Sequence, residues 1–322
     1  MGGEIFESIK MKGLKNCPLC ERKNIKFLFN QKDKNIGISK QFSLSKCKNC
    51  KAVFLNPQPT YKESEKFYPK EKYYSLYKIK TEKDSIKTKI KLGLYRAYFS
   101  VQRSIFKKIL FSPIKFMIRG TLIKKNAKLL DIGCGSGQFL YEMKTSGLEV
   151  YGIEPGKFDE EGNKEYNLNI KNGCTENAKY NKEYFDIITL NHVLEHLSNP
   201  NETILEIKRI LKKDGLFIIG VPNTNSLAFK IFGKNWYQLD IPRHFINYSD
   251  KNTRFLLERN GFKIIKIRYN SRPSQFAVSL MYSINIKSKL IEKVLELILL
   301  PLTWLVNSLG IGDQIEVWCV KK

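Results

Sequence analysis

Residues 127–137 read Ala-Lys-Leu-Leu-Asp-Ile-Gly-Cys-Gly-Ser-Gly, and Gln138-Phe-Leu-Tyr-Glu-Met143 follows without a break. The first part is a short apolar run, which predicts a buried strand ending at Asp131. Gly133, Gly135 and Gly137 then form a glycine turn, and the residues from Gln138 predict a helix. Strand, glycine turn and helix in succession let main-chain groups come close to a bound ligand. The pattern repeats downstream. Val150–Ile153, Phe185–Leu190 and Leu216–Gly220 predict further buried strands, the last after a helix over about 201–213. Strands alternating with helices predict a parallel sheet covered on both faces.

The loop itself narrows the ligand. A dinucleotide turn needs G-x-G-x-x-G, but here the sixth position is Gln138 and the third glycine comes one place early. No lysine follows as in a P-loop, which argues against a nucleoside triphosphate. Asp131 would repel a pyrophosphate and suits a ligand carrying an ammonium and a sulfonium. Glu154 ends the second strand, 17 residues after Gly137. A carboxylate there can accept two hydrogen bonds from ribose hydroxyls.

Together these motifs resemble the class I S-adenosylmethionine-dependent methyltransferases, in the branch containing ubiquinone-biosynthesis-like enzymes. Asp131–Gly137 is similar to their first motif and Tyr151-Gly-Ile-Glu-Pro155 to their second. Phe185–His196 is similar to the fourth strand and the segment after it, and Leu211–Pro222 to the fifth. Phe262–Ile267 and Ile315–Val320 would be the closing pair. The resemblance covers about residues 127–270 and the last few residues. It implies an α/β, Rossmann-like seven-stranded methyltransferase sheet whose last strand is antiparallel. It also implies cofactor roles. Gly133, Gly135 and Gly137 would let the backbone approach the methionine part, and Asp131 would orient its amino group. Glu154 and Pro155 would meet the ribose, Cys174 and Thr175 would flank the adenine, and Asn191 and His192 would lie beneath the methionine moiety.

A second module precedes this one. Cys17-Pro-Leu-Cys20 and Cys47-Lys-Asn-Cys50 are two C-x2-C pairs, 26 residues apart. Such pairs present four thiolates to one ion, and four cysteines leave no open coordination position, so a structural zinc is expected. Phe27–Phe29 and Phe42–Leu44 predict the hairpin between them. This segment resembles the zinc-binding part of sugar methyltransferases acting on deoxysugars. The expected organisation is a small zinc-ribbon-like module over 1–58, a basic helical connector or lid over 59–125, and the methyltransferase domain over 126–322. Tyr73 and Tyr74 in the connector are candidates to cover the cofactor and meet substrate.

Composition sets the limits. With 322 residues, 42% of them apolar, the chain can bury a core and hold more than one unit. The net charge of +25 is uneven. Residues 1–130 hold 31 basic and 9 acidic residues, and the remainder is nearly neutral. That charge fits an anionic surface, but arginine supplies only 10 of the 56 basic residues, which argues against nucleic-acid reading by bidentate forks. Residues 1–10 lack an apolar core of signal-peptide length, so a cytoplasmic, reducing location is expected. Peripheral attachment to a membrane is the second expectation. Leu297–Ile311 carries no charge but is too short to span a bilayer and contains Pro301. It sits in an insertion over about 270–314 and reads as a core helix, a homodimer face or a dock for a lipid-linked acceptor.

The chain has three histidines, all in or beside the expected site: His192, His196 and His244. His192-Val-Leu-Glu-His196 also matches a zinc-peptidase pattern, but it follows a buried strand in methyltransferase order. His244, in Trp236–Phe245, is a candidate general base for a hydroxyl acceptor, with His196 a second candidate at the substrate. Arg243 is a candidate partner for an acceptor's carboxylate or phosphate. The expected activity is methyl transfer from S-adenosylmethionine to a small-molecule, glycan or lipid-linked acceptor, at oxygen. Carbon methylation of a nucleotide-linked sugar, a nucleic-acid-binding zinc ribbon and a catalytically silent partner subunit are the rivals.

Overall fold

The computed structural model describes residues 9–68, 78–81, 86, 88–90, 92–93, 126–156 and 158–322. Tyr73, Tyr74 and most of the basic connector lie outside the described residues. In the N-terminal part, β1 (Met11–Lys12), β2 (Ile25–Lys32), β3 (Gln41–Cys47), β4 (Val53–Leu55) and β5 (Gln58–Pro59) precede the short helix α1 (Tyr61–Ser64). β2 and β3 are the hairpin expected between the cysteine pairs, joined antiparallel from Ile25↔Cys47 to Lys32↔Gln41.

The seven-stranded sheet has the order β12-β13-β10-β9-β6-β7-β8. Its strands are β6 (Lys128–Ile132), β7 (Glu149–Glu154), β8 (Asn169–Asn172), β9 (Phe185–Asn191), β10 (Leu211–Pro222), β12 (Phe262–Tyr269) and β13 (Gln314–Lys321). β6, β7, β8, β9 and β10 run parallel, and β13 is antiparallel to both β10 and β12. This is the Rossmann-like sheet implied by the sequence. The central strands are apolar on both faces because helices cover both: Leu129, Leu130, Ile187, Ile188, Ile218 and Ile219 are all buried. α2 (Gln138–Thr145) buries Leu140 and Met143. α3 (Glu160–Glu165) starts on an Asp159 cap, whose Oδ1 accepts from Gly162 N at 3.0 Å. α4 (Pro200–Ile210) carries proline in its first turn and buries Ile204, Ile207 and Ile210, a stripe at helical spacing.

β11 (Ile246–Asn247) leaves the methyltransferase segment and pairs with β4, completing a second sheet of order β11-β4-β3-β2. One hydrophobic core runs through both parts. It includes Leu19, Leu44, Phe54 and Phe67 with Ile132, Leu190, Trp236 and Tyr248. The boundary at residue 58 therefore divides the chain in sequence but not in space.

α5 (Leu227–Phe232) and α6 (Asp250–Arg259) follow β10, and α6 begins with a Ser249–Asn252 capping box. The insertion between β12 and β13 forms α7 (Pro273–Ile284), α8 (Lys289–Ile298) and α9 (Leu300–Ser308). α7 buries Phe276, Ala277 and Met281, whereas α8 buries nothing and α9 only Thr303 and Val306. The charge-free stretch is thus only in part a core helix: Val306 is buried with Leu299 and Leu302 packed against the core, while Leu297, Leu300, Trp304 and Leu305 are exposed. Among the described residues, no helix is long and apolar enough to cross a membrane.

Candidate active site

The carboxyl ends of the parallel strands share one edge, where open α/β sheets take ligands. Register puts Ile132 beside Leu190 and Glu154 beside Asn172, so the segments that follow are neighbours. Gly133 sits at φ +68°, and a Cβ there would lie 2.3 Å from Val193 Cγ2. Gly137 sits at φ +81°, where a Cβ would meet Asn163 Oδ1 at 2.8 Å. Both the left-handed backbone and the space require glycine. Asp131 is buried, and Thr189 Oγ1 donates to its Oδ1 at 2.5 Å. Glu154 is also buried. Its Oε2 accepts from Gly135 N at 2.8 Å and its Oε1 from Gly156 N at 2.9 Å. Burial pushes this carboxyl up, and the two N–H donors oppose the shift.

A cavity of about 2240 Å³ opens in front of this edge. Ligand pockets usually measure ~300–1,000 Å³, so the space accommodates a cofactor and a sizeable acceptor together. Asp131, Gly133, Asn191, His192, His196, Arg243 and His244 all line it, and Asn191 Nδ2 is buried with no hydrogen-bond partner among the described residues. Gly135, Gly137, Glu154, Pro155, Cys174 and Thr175 do not line it. The last four are adjacent, since Gly173 N donates to the Glu154 carbonyl at 3.1 Å.

The cavity floor is a histidine cluster around Glu195. This residue follows β9 in a 3-10 turn, Leu194–His196, so His192 and His196 do not form the helical pair of a zinc peptidase. Glu195 is fully buried, its Oε1 accepts from His192 Nδ1 at 3.2 Å, and its Oε2 has no partner among the described residues. Burial favours its neutral form, yet the hydrogen bond from His192 and the surrounding histidines hold it below the usual carboxylate range. His192 Nε2 in turn meets the Gln314 side chain. His196 Nδ1 lies 3.0 Å from the Arg243 carbonyl and 2.9 Å from the Tyr68 hydroxyl. A carbonyl only accepts, so the tautomer that bonds the Arg243 carbonyl carries its proton on Nδ1 and keeps the basic lone pair on Nε2. The His244 ring packs edge-on against His196, with centroids 4.8 Å apart. Its Nε2 faces Asp240 Oδ2 at 3.8 Å and Glu195 Oε1 at 3.9 Å, and its Nδ1 is buried without a partner among the described residues. Burial, then His196, lowers His244 to about 4. It is therefore neutral at pH 7 but a weak base. Glu195, His196 and His244 also present one ligand atom each within 4.8 Å of one another, so the floor can take a cation as well as a proton.

A methyltransferase-domain family matches residues 101–267. The chain belongs to that family. Among its relatives, the ubiquinone biosynthesis O-methyltransferase of Pelagibacter ubique is 30% identical over 215 residues, which cover 56% of this chain and 87% of that protein. The namesake from Maricaulis maris is 25% identical over 182 residues, 51% of this chain and 70% of that one. The solved structure of a SAM dependent methyltransferase from Archaeoglobus fulgidus is 23% identical, covers 71% of this chain and 98% of its own, and gives a TM-score of 0.43.

In this methyltransferase the cysteine module adjoins the histidine floor. Cys17 Sγ lies 3.6 Å from Cys50 Sγ, and Cys20 Sγ 3.5 Å from Cys47 Sγ. Disulfides need ~2.05 Å, whereas a tetrahedral zinc with Zn–S near ~2.3 Å places its sulfurs about 3.8 Å apart. All four sulfurs lie within 4.8 Å of one another, so the set can hold zinc. The Cys50 thiol lowers Cys17 to about 5, which readies one thiolate. The same module reaches the floor through Asp33, which takes both Nη atoms of Arg243 at 3.0 Å. Asp240 grips the guanidinium from the other side, its Oδ2 accepting from Nε at 3.0 Å. Burial raises the Asp240 carboxyl, but Arg243 and His244 outweigh it and bring it to about 2. Arg243 was expected to bind an acceptor anion. The structure corrects this, because two carboxylates already occupy its fork. Sequence reasoning missed Asp33 and Tyr68, which lie 210 and 128 residues from their partners and carry no motif. Asp240 had a signal: it stands three residues before Arg243 in the stretch already singled out.

Proposed function

We propose that this methyltransferase moves a methyl group from S-adenosylmethionine to a hydroxyl of a small-molecule, glycan or lipid-linked acceptor. The observation that carries this reading is one cavity reaching from the glycine turn to the histidine floor. The residues fit the donor. The unpartnered Asn191 Nδ2 and the Asp131 carboxylate suit the amino-acid end, one as a hydrogen-bond donor, the other as an acceptor. Glu154 and Pro155 would meet the ribose, Cys174 and Thr175 the adenine, and His192 the methionine part. The loop N–H groups that Glu154 pins keep the turn in shape. When bound, the cofactor supplies an electrophilic methyl on a sulfonium.

The remaining work belongs to this chain. His196 takes the hydroxyl proton at Nε2, because its Nδ1–H is anchored on the Arg243 carbonyl. The buried Glu195 carboxylate stabilises the imidazolium that forms. His244 packs edge-on against His196 and stays uncharged. In this reading the base expected at His244 is His196 instead, because burial leaves His244 too weak a base for the role. The cysteine set holds a structural zinc in this reading, since no ligand position is left for substrate.

The test is calorimetric titration with S-adenosylhomocysteine, with NAD as control. Micromolar binding of the former alone is expected, and binding of NAD instead would overturn the reading. Carbon methylation would use the same cavity and base, and the position of the new methyl in the product, read by NMR, separates the two.

A further inference from the structure

The helix α8 is arranged inside out. Surface helices of globular proteins turn their apolar stripe inward and their charges to water. Here Leu290, Ile291, Val294, Leu297 and Ile298 share one arc and are exposed, Leu290 by 73% and Leu297 by 70%. Glu292 and Glu296 occupy the opposite arc and are half-buried, and Glu292 lines the cavity. α9 continues the face with Leu300, Leu305 and Trp304, the last 72% exposed. Isolated exposed apolar side chains are ordinary, but a contiguous face across two helices marks an interaction surface.

We propose that the outward face of α8 and α9 docks this enzyme on an anionic lipid bilayer. Charge selects this occupant. Lys287, Lys289 and Lys293 are exposed beside the apolar arc, while Glu292 and Glu296 of the same helix are turned to the opposite side. An anionic leaflet attracts such a rim, while apolar side chains enter between headgroups. A second copy docked on the same face would bring these lysines toward their own counterparts, at a cost in repulsion. Trp304 has the amphipathic ring that favours a membrane–water interface. The face is also continuous with the cavity, since Ile286, Lys289, Leu300 and Trp304 line its mouth. Docking needs no methyl transfer. Only its consequence, that an acceptor enters from the bilayer side, rests on the reading of the cavity given above.

The experiment is flotation of the full chain with vesicles of phosphatidylcholine, alone or mixed with phosphatidylglycerol. Binding to the anionic vesicles, weakened by salt, is expected. Trp304 reports it, because Trp236 and Trp318 are already buried and only its emission shifts to the blue. The double substitution Leu290→Glu and Leu297→Glu should reduce binding by about tenfold or more. Both sites are exposed, so melting and S-adenosylhomocysteine affinity should stay as in the parent. Unchanged flotation of that variant overturns the proposal. So does a parent dimer that the variant turns into monomers without vesicle binding. Cofactor affinity measured on the same samples separates failure of docking from failure of the methyltransferase reading.

Discussion

Replacing Asp33 by alanine should weaken the fold and disturb the histidine floor from more than 200 residues away along the chain. The Asp33 side chain is fully enclosed, and its two oxygens accept from Arg243 Nη1 and Nη2 at 3.0 Å each. Arg243 is itself only 5% exposed, so solvent does little to screen the pair. Breaking a buried pair from one side costs ~3–5 kcal/mol, and each hydrogen bond to a charged group contributes ~1.5–3 kcal/mol. Arg243 keeps Asp240, which places the loss at the lower end, about 3 kcal/mol. At about 2 °C per kcal/mol for a chain of this size, melting should fall by about 6 °C. Asp33→Asn, which keeps the shape but not the charge, should fall between the variant and the parent. The exposed pair Arg254–Glu258, 3.3 Å apart, serves as control, and Glu258→Ala should cost less than about 1 kcal/mol. Affinity for S-adenosylhomocysteine should hold, because Asp131 and Glu154 belong to β6 and β7. Thermal and urea unfolding together with titration read all of this. A loss for Asp33→Ala no larger than for Glu258→Ala would refute the reasoning.

Gly133→Ala forces a Cβ to 2.3 Å from Val193 at positive φ, so cofactor affinity should fall by at least about tenfold in calorimetry. Glu154→Ala removes the acceptor for Gly135 and Gly156, and about a tenfold loss of the same affinity is expected. Cys17→Ser should lower both metal content, read by elemental analysis, and melting temperature; one zinc retained per chain would contradict the four-thiolate set. His244 contributes a pH dependence whose sign follows from burial. Its folded value of about 4 lies below the ordinary 6.5, so the unfolded chain binds the extra proton between them. That stability is present above about pH 6.5, is lost as pH falls toward 4, and amounts to about 3 kcal/mol at most. His244→Gln should flatten the acid side of the stability curve, and an unchanged slope would sink the assignment.

What could be read from the sequence was what local pattern encodes. The glycine turn after β6, the alternation of strands with helices and the hairpin between the cysteine pairs follow from periodicity and spacing over a few residues, while the sheet as a whole was what the family resemblance implied. β10 begins at Leu211, as the family resemblance implied and earlier than the apolar run from Leu216 predicts, and its pairing with β9 is irregular between those residues. That irregularity has no compositional mark. The long-range features were not readable. Nothing in Ile246–Asn247 says that it will pair with Val53–Phe54. The apolar run of α9 looks the same whether its side chains face a core or water, since facing is decided by what packs behind it.

The pairing of β11 with β4 changes what the cysteine module is for. Four thiolates around a zinc would leave no open position for substrate, so the module would contribute through shape. Its sheet ends on a strand that begins two residues after His244. Leu55 N donates to the Phe245 carbonyl at 2.9 Å, and Gln58 Nε2 reaches the same oxygen at 3.1 Å. Phe245 N in turn donates to the Glu195 carbonyl at 2.7 Å. The module, the His244 segment and the Glu195 turn are therefore bonded in series, and Asp33 adds an ion pair alongside. In the proposed reaction the acceptor oxygen must lie in line with the methyl–sulfur bond with its base beside it, and small displacements of such groups are costly in rate. Loops alone hold side chains less well than sheets do. By lending the His244 loop a sheet edge, the N-terminal module gives the histidine floor a support that the seven-stranded sheet, which ends at Pro222 on this side, does not reach far enough to provide.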